Sequence, residues 1–308
     1  MASRSDLAGK RVLLTGASGF TGRYMTAQLR SQGCTVIGVG ARGQPADDVA
    51  APDAFLSVDL RDQDAVTRVV EGARADYVVH LAAMAFVGHG NADDFYRVNL
   101  LGTRNLLHAL VTASHQPERV LLASSANVYG NATEGVIDES VAPAPANDYA
   151  VSKLAMEFAA RLWQERLPLV IARPFNYTGV GQERNFLVPK IVSHFASRAE
   201  TIELGNTEVW RDFGDVRAVT LAYRKLLESA DAIGQTVNVC SGVAHSLDDI
   251  IRMCSGITGH QMDVRVNPAF VRDNEVKMLL GSNAKLRGLI GAWDCPPLEQ
   301  TLRWMLEG

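Results

Sequence analysis

Cysteine is scarce in this 308-residue chain, and its four copies, Cys34, Cys240, Cys254 and Cys295, show no C-x-x-C spacing. Neither a disulfide framework nor a zinc site is indicated, and each is read as a reduced core thiol. Long apolar runs are missing as well: none approaches the roughly 18 residues of a membrane-spanning helix. Residues 1–10 lack the charged-then-apolar order of a secretion signal, so a cytoplasmic location with no membrane partner is expected. There is no basic block, and the formal net charge is -4, which argues against nucleic acid as a partner while leaving small anions to local basic residues. Internal repeats and low-complexity segments are also absent. What remains is 47% hydrophobic, enough for a sizeable core that divides into a larger and a smaller lobe.

Strand and helix signals alternate in a βαβ rhythm, which predicts a parallel sheet covered on both faces. The expected strands are 11–15, 35–39, 54–58, 77–81, 119–123 and 169–172, with helices between them. Beyond Pro174 the elements shorten: a helix at 187–199, strands at 201–204 and 209–213, and a helix at 215–228. A strand at 237–239 is expected to return to the main sheet. The fold expected is therefore α/β, a Rossmann-like doubly wound parallel sheet with a smaller interleaved C-terminal α/β lobe. Residues 1–173 would form the dinucleotide-binding domain, with 215–242 returning to it, and 174–308 mainly the substrate lobe.

Three motifs carry chemistry. Thr15-Gly16-Ala17-Ser18-Gly19-Phe20-Thr21-Gly22 lies between an apolar strand and a helix. Glycine permits a tight turn and close approach of backbone to a pyrophosphate, and the helix start offers free amides and a positive dipole end. Next, Leu121-Leu122-Ala123-Ser124-Ser125-Ala126-Asn127-Val128-Tyr129-Gly130 reads as a buried strand ending in hydroxyls, which in an open parallel sheet face the ligand crevice. Such serines also serve as turn residues or helix caps. Finally, Tyr149 and Lys153 stand four residues apart at the start of an apolar helix and project from one face. An ammonium at that distance is expected to favour the phenolate and suit Tyr149 to acid–base work near neutrality.

In this order the motifs resemble the short-chain dehydrogenase/reductase superfamily, in its extended branch acting on nucleotide sugars, over nearly the whole chain. The resemblance implies a catalytic triad of Ser125, Tyr149 and Lys153, Ser125 being selected because it lies four residues before the Tyr of the Val-Tyr-Gly turn. It implies cofactor contacts from Gly16, Ser18, Gly19, Phe20, Thr21 and Gly22, from Asp59 and Leu60 near the adenine, and from Leu81, Ala82 and Ala83, with Tyr149 and Lys153 at the nicotinamide. It also implies a supporting, structural role for Asn99, and a homodimer paired through helices around 94–114 and 149–165. No carboxylate follows the second strand until Asp47, whereas Arg42 is there and Arg23 lies just past the glycine turn. A basic residue at this place pairs with a 2′-phosphate, so NADPH is expected, with NADH as the alternative.

Closer resemblance is to the GDP-4-keto-6-deoxy-D-mannose reductases, in four segments: 172–182 (Ala-Arg-Pro-Phe-Asn-Tyr-Thr-Gly-Val-Gly-Gln), 210–217, 238–242, and 272–276 followed by 281–283. A nucleotide diphosphate leaving water needs fixed donors. Arg211 and Arg272 are the candidates for it, with Asn176 donating to the same group, Glu275 accepting from ribose or base, and Lys190 as a further contact. Pro189-Lys190 has no counterpart in those reductases. An ion pair of Arg211 with Asp212 or Asp215 is the structural alternative. Related 4,6-dehydratases carry acidic residues where this chain has Ala126 and Asn127, and related epimerase-reductases carry Cys in place of Asn127, so neither chemistry is expected. The resemblance thus implies reduction of the C4 ketone of a nucleotide-diphosphate 4-keto-6-deoxy sugar, with no metal. The alternatives are a 4-epimerase with tightly bound NAD and a non-catalytic nucleotide sensor.

Overall fold

The computed structural model describes residues 7–41, 43, 51–85, 91–130, 135–270 and 277–307. In chain order the first half gives β1 (Arg11–Thr15), α1 (Phe20–Ser31), β2 (Thr35–Gly40), β3 (Ala54–Ser57), α2 (Gln63–Ala73), β4 (Tyr77–His80), α3 (Ala92–Phe95), a π-helical stretch Tyr96–Gly102, α4 (Thr103–Thr112), β5 (Arg119–Ala123), β6 (Val136–Ile137), α5 (Asp148–Arg161) and β7 (Leu169–Pro174). Then follow β8 (Asn176–Thr178), α6 (Leu187–Ala196), β9 (Thr201–Leu204), β10 (Trp210–Asp215), α7 (Val216–Glu228), β11 (Thr236–Val239), β12 (Ala244–Ser246), α8 (Leu247–Thr258), β13 (Asp263–Val266), β14 (Met278–Gly281), α9 (Ala284–Ile290) and α10 (Leu298–Glu307).

The main sheet runs β11-β7-β5-β4-β1-β2-β3, with every pairing parallel. Its central strands are apolar on both faces because each face is covered. On one side Met25 and Leu29 of α1 pack with Ala222 and Leu226 of α7. On the other, Val66 of α2, Leu107 of α4 and Met156 of α5 form a second core. Strand order reverses between β1 and β4, so the crevice beyond their carboxyl ends is the place where such sheets bind ligands. Side-chain caps fix where the helices begin: Asn147 accepts from Ala150 N and starts α5, and Asp215 accepts from Arg217 N and starts α7.

The smaller lobe is built on a second sheet, β12-β10-β14-β6, with β8 paired to β10, and on the pair β13-β9. Its own core joins Ile191 and Phe195 of α6, Ile250 and Cys254 of α8, and Leu298 and Leu302 of α10. β11 lies in the main sheet beside β7. Among the described residues no helix is long and apolar enough to cross a membrane, and no three His, Cys, Asp or Glu side chains converge as a metal site. All four cysteines are free thiols; burial pushes Cys34 and Cys295 up to about 11 and Cys254 to about 12.

Candidate active site

The glycine turn is shaped by backbone contacts that leave no room for side chains. Gly16 has φ +74, and a Cβ there would meet Ala82 N at 2.7 Å; one on Gly22 would meet the Gly16 carbonyl oxygen at 2.1 Å. Glycine at both positions therefore lets α1 start directly against β1 and the end of β4. Gly19 caps α1 with extended backbone and no side-chain hydrogen bond, so the first-turn amides face the crevice together with the positive end of the helix dipole. Ser18, Phe20 and Thr21 occupy the same turn. A dinucleotide pyrophosphate suits a cradle of this kind, where any Cβ would obstruct both the turn and the approach.

Leu81, Ala82 and Ala83 follow β4, where Leu81 N donates to Thr15 O (3.2 Å) and Ala82 N to Thr15 Oγ1 (3.3 Å). Beneath them runs a buried polar chain. Thr103 donates its hydroxyl proton to Asn99 O (2.7 Å) and so accepts from His80 Nε2 (2.8 Å); this leaves His80 Nδ1 to accept from Thr15 Oγ1 (2.6 Å). Burial, with Lys153 nearby, holds His80 down to about 3, so the ring is neutral. Asn99 is buried, although polar residues on apolar helices ordinarily face water: its Nδ2 donates to Met84 O (3.1 Å) and Ser152 Oγ (3.0 Å), and its Oδ1 accepts from Met84 N (2.8 Å). The π-helical stretch widens the turn at Asn99 and turns the side chain inward, a distortion common at functional sites. Ser152 passes the network on to the Tyr149 carbonyl (2.7 Å).

Ser125, Tyr149 and Lys153 come together above β5, all buried. Ser125 is both cap and site residue: its Oγ accepts from Asn127 N (3.2 Å), and its hydroxyl lies near enough to the Tyr149 phenol to favour the phenolate. The Phe95 ring packs edge-on against Tyr149 at 6.0 Å. Here the structure corrects one expectation. Burial dominates the phenol and pushes Tyr149 up to about 12, with the nearby Ser125 hydroxyl opposing it, while the Lys153 ammonium donates to Ala123 O at 2.7 Å and does not lower the phenol. Four-residue spacing puts the two side chains on one face, but it does not decide which acceptor the amine chooses. Burial lowers Lys153 to about 8 and Glu157, one turn further on, raises it, so the amine stays cationic at neutral pH.

Glu157 is held in turn by Arg173 of β7 through two hydrogen bonds (2.9 and 2.6 Å), and by the Ser124 hydroxyl. Arg173 also donates to Tyr129 OH (2.9 Å), which donates to Asn238 Oδ1 (2.8 Å). This bidentate pair fastens α5 to the sheet behind the triad.

Among the substrate candidates, Asn176 Nδ2 lies 3.5 Å from Asp212 O, and Arg211 Nη1 donates to Trp210 O (2.9 Å). The carboxylates first offered to Arg211 are engaged elsewhere: Asp212 accepts from Ser241 and Gly242, and Asp215 from Arg217 and Thr301. Lys190 Nζ donates to Glu203 O (2.7 Å) and sits 4.8 Å from the Phe270 ring centre, within the small lobe. Asp59 is gripped by Arg61, whose hydrogen bond is the main cause of its lowered pKa, and Leu60 packs into the second core beside it. Arg42, Arg272 and Glu275 lie outside the described residues. Arg23 stands near the 180–182 turn, its Nη1 3.5 Å from where a Gly181 Cβ would be.

Tyr177 had no role expected from its sequence context. Tyr177 OH hydrogen-bonds Thr21 Oγ1 (2.7 Å) and its ring stacks on Phe20 at 6.2 Å, so the small lobe touches the glycine cradle through this residue. The only available signal was its place directly after Asn176.

The profile of the NAD dependent epimerase/dehydratase family matches residues 12–240. A GDP-6-deoxy-D-talose 4-dehydrogenase from Aggregatibacter actinomycetemcomitans is 35% identical over 285 residues, 91% of each chain. A GDP-6-deoxy-D-mannose reductase from Pseudomonas aeruginosa is 32% identical over 308 residues, 96% of each. Among solved structures, a candidate epimerase from Burkholderia cenocepacia J2315 is 54% identical with a TM-score of 0.92, covering 99% of this chain and 98% of that one. RMD from Pseudomonas aeruginosa, solved with NADPH, is 30% identical with a TM-score of 0.83 over 97% of both.

Proposed function

Since the chain belongs to the NAD dependent epimerase/dehydratase family, in the extended short-chain dehydrogenase/reductase branch, we propose that it reduces the C4 ketone of a nucleotide-linked 4-keto-6-deoxy sugar with NADPH. The reaction we favour converts GDP-4-keto-6-deoxy-D-mannose to GDP-D-rhamnose. At the coarser level it is a nucleotide-sugar-modifying enzyme that uses a pyridine nucleotide. One observation supports the acid role in this reading: Tyr149 is buried beside Ser125 and Lys153 and is protonated throughout the neutral range, which is the state of a proton donor.

When bound, the nicotinamide supplies the hydride that adds to C4. Tyr149 gives its proton to the oxygen that gains charge there, and the Ser125 hydroxyl orients that oxygen. Lys153, cationic and one turn away, would hold the nicotinamide ribose. Gly16, Ser18, Gly19, Phe20, Thr21 and Gly22 would hold the pyrophosphate, Asp59 and Leu60 the adenine end, and Leu81, Ala82 and Ala83 the stretch between. The preference for NADPH rests on Arg42, with Arg23 as the second cation. Asn176, Lys190 and Arg211, with Arg272 and Glu275, would meet the nucleotide of the substrate. A homodimer through 94–114 and 149–165 would cover Phe158 (58% exposed) and Leu162 (84%), which with Val151 form an apolar face on α5.

The 6-deoxy-D-talose and 6-deoxy-D-mannose in the relatives' names differ only at C4, so one 4-keto precursor serves both, and the face receiving hydride decides the product. The 54% likeness to a candidate epimerase supports a second reading, 4-epimerisation with retained NAD by the same triad. Thermal stability across ligands separates the finer alternatives, because a tight binder stabilises by about 2.7 kcal/mol at 100 times its Kd. NADPH should raise Tm more than NADH, and GDP more than UDP or TDP; the reverse order in either pair removes that part of the reading.

A further inference from the structure

Among the described residues, Tyr223 carries a hydroxyl that is buried and has no hydrogen-bond partner. A phenylalanine would fill the same space without leaving a polar atom unpaired, so the oxygen calls for an explanation. Tyr223 sits in the third turn from the N-terminal end of α7, and helical side chains lean toward that end. The end lies at the active-site level: Asp215, which caps α7, is in register with Thr178, and Gly214 with Tyr177. Tyr223 shares its core cluster with Ala17 of the glycine turn, Leu121 of β5 and Ala172 of β7, and Tyr177 packs against the same cluster. Tyr177 of β8 and Tyr223 of α7 thus meet at one cluster, and Tyr149 of α5 is near enough to influence Tyr223. Tyr177 and Tyr149 are near enough to add to the effect of burial, which keeps Tyr223 un-ionised at any ordinary pH.

Resting on the pyridine-nucleotide reading above, we propose that the Tyr223 hydroxyl supplies a hydrogen bond to the nicotinamide end of the bound cofactor from the floor of the crevice. A neutral phenol suits a neutral amide, which can both donate and accept, better than a phosphate, whose charge is met by the amides of α1. No covalent step is involved, and Tyr223 acts by positioning.

The test is Tyr223→Phe, which removes one oxygen and keeps the ring. Binding of NADPH and of 2′-phospho-ADP-ribose, which lacks the nicotinamide, is measured by calorimetry on the cofactor-free protein, alongside Tm. The variant should bind NADPH roughly 5- to 10-fold more weakly, the effect of one hydrogen bond. It should bind 2′-phospho-ADP-ribose as the wild type does, and without ligand be as stable as the wild type or more so. Unchanged NADPH affinity, or an equal loss for both ligands, overturns the assignment. A drop in unliganded Tm with no difference between the ligands also overturns it, by showing that the hydroxyl serves the fold. Should the wild type prefer NADH, the same comparison runs with NADH and ADP-ribose. A wild type that binds no pyridine nucleotide removes the cofactor reading and this inference with it.

Discussion

Tyr149→Phe should depress turnover by roughly two to four orders of magnitude, the usual contribution of a positioned general acid. The substitution removes one oxygen from a buried side chain whose ring packs on Phe95, so the fold should persist. Binding of cofactor and nucleotide should largely survive, because on the proposed reading their charges would be met by α1 and the small lobe and not by this phenol. A change in kcat with little change in KM marks an interaction made only in the transition state. Ser125→Ala should act in the same direction, since its hydroxyl is near the same phenol and would orient the ketone oxygen. Comparable turnover of Tyr149→Phe in a stopped assay would take the acid role from Tyr149.

The second large effect is expected on stability. Arg173→Met leaves the Glu157 carboxylate buried without its two guanidinium hydrogen bonds. Breaking a buried pair from one side costs about 3–5 kcal/mol, because the remaining charge is uncompensated. The loss should appear as a lower denaturant midpoint, and Arg173→Met combined with Glu157→Leu should recover much of it, since the isolated charge is then gone. Activity should fall along with stability, because Glu157 stands one turn beyond Lys153 on the helix that also carries Tyr149. A single variant within about 1 kcal/mol of the wild type would show that water or another group satisfies Glu157.

The main sheet was legible because its central strands are continuous apolar runs, and strands such as Arg119–Ala123 and Leu169–Pro174 lie within a residue or two of their expected limits. The small lobe was less so. Val136–Ile137 and Asn176–Thr178 are two and three residues long, too short for alternation to register, and they pair with strands far away in sequence. At the site, spacing alone brought Tyr149 and Lys153 to one face. The direction of the Lys153 amine depends on the Ala123 carbonyl, 30 residues earlier in the chain, and the Tyr149 phenol responds to burial, which no local pattern reports. His80 was likewise hidden: a single histidine ending an apolar strand shows nothing of the Thr15 and Thr103 hydroxyls bonded to it, or of the burial that holds it neutral.

Cofactor stoichiometry tests the central claim most directly. With GDP-4-keto-6-deoxy-D-mannose and excess NADPH, one NADPH should be oxidised for each ketone lost, giving a GDP-linked 6-deoxyhexose. Interconversion of C4 epimers by the purified protein, with no net change in added cofactor, would contradict the reductase account and establish the epimerase in its place.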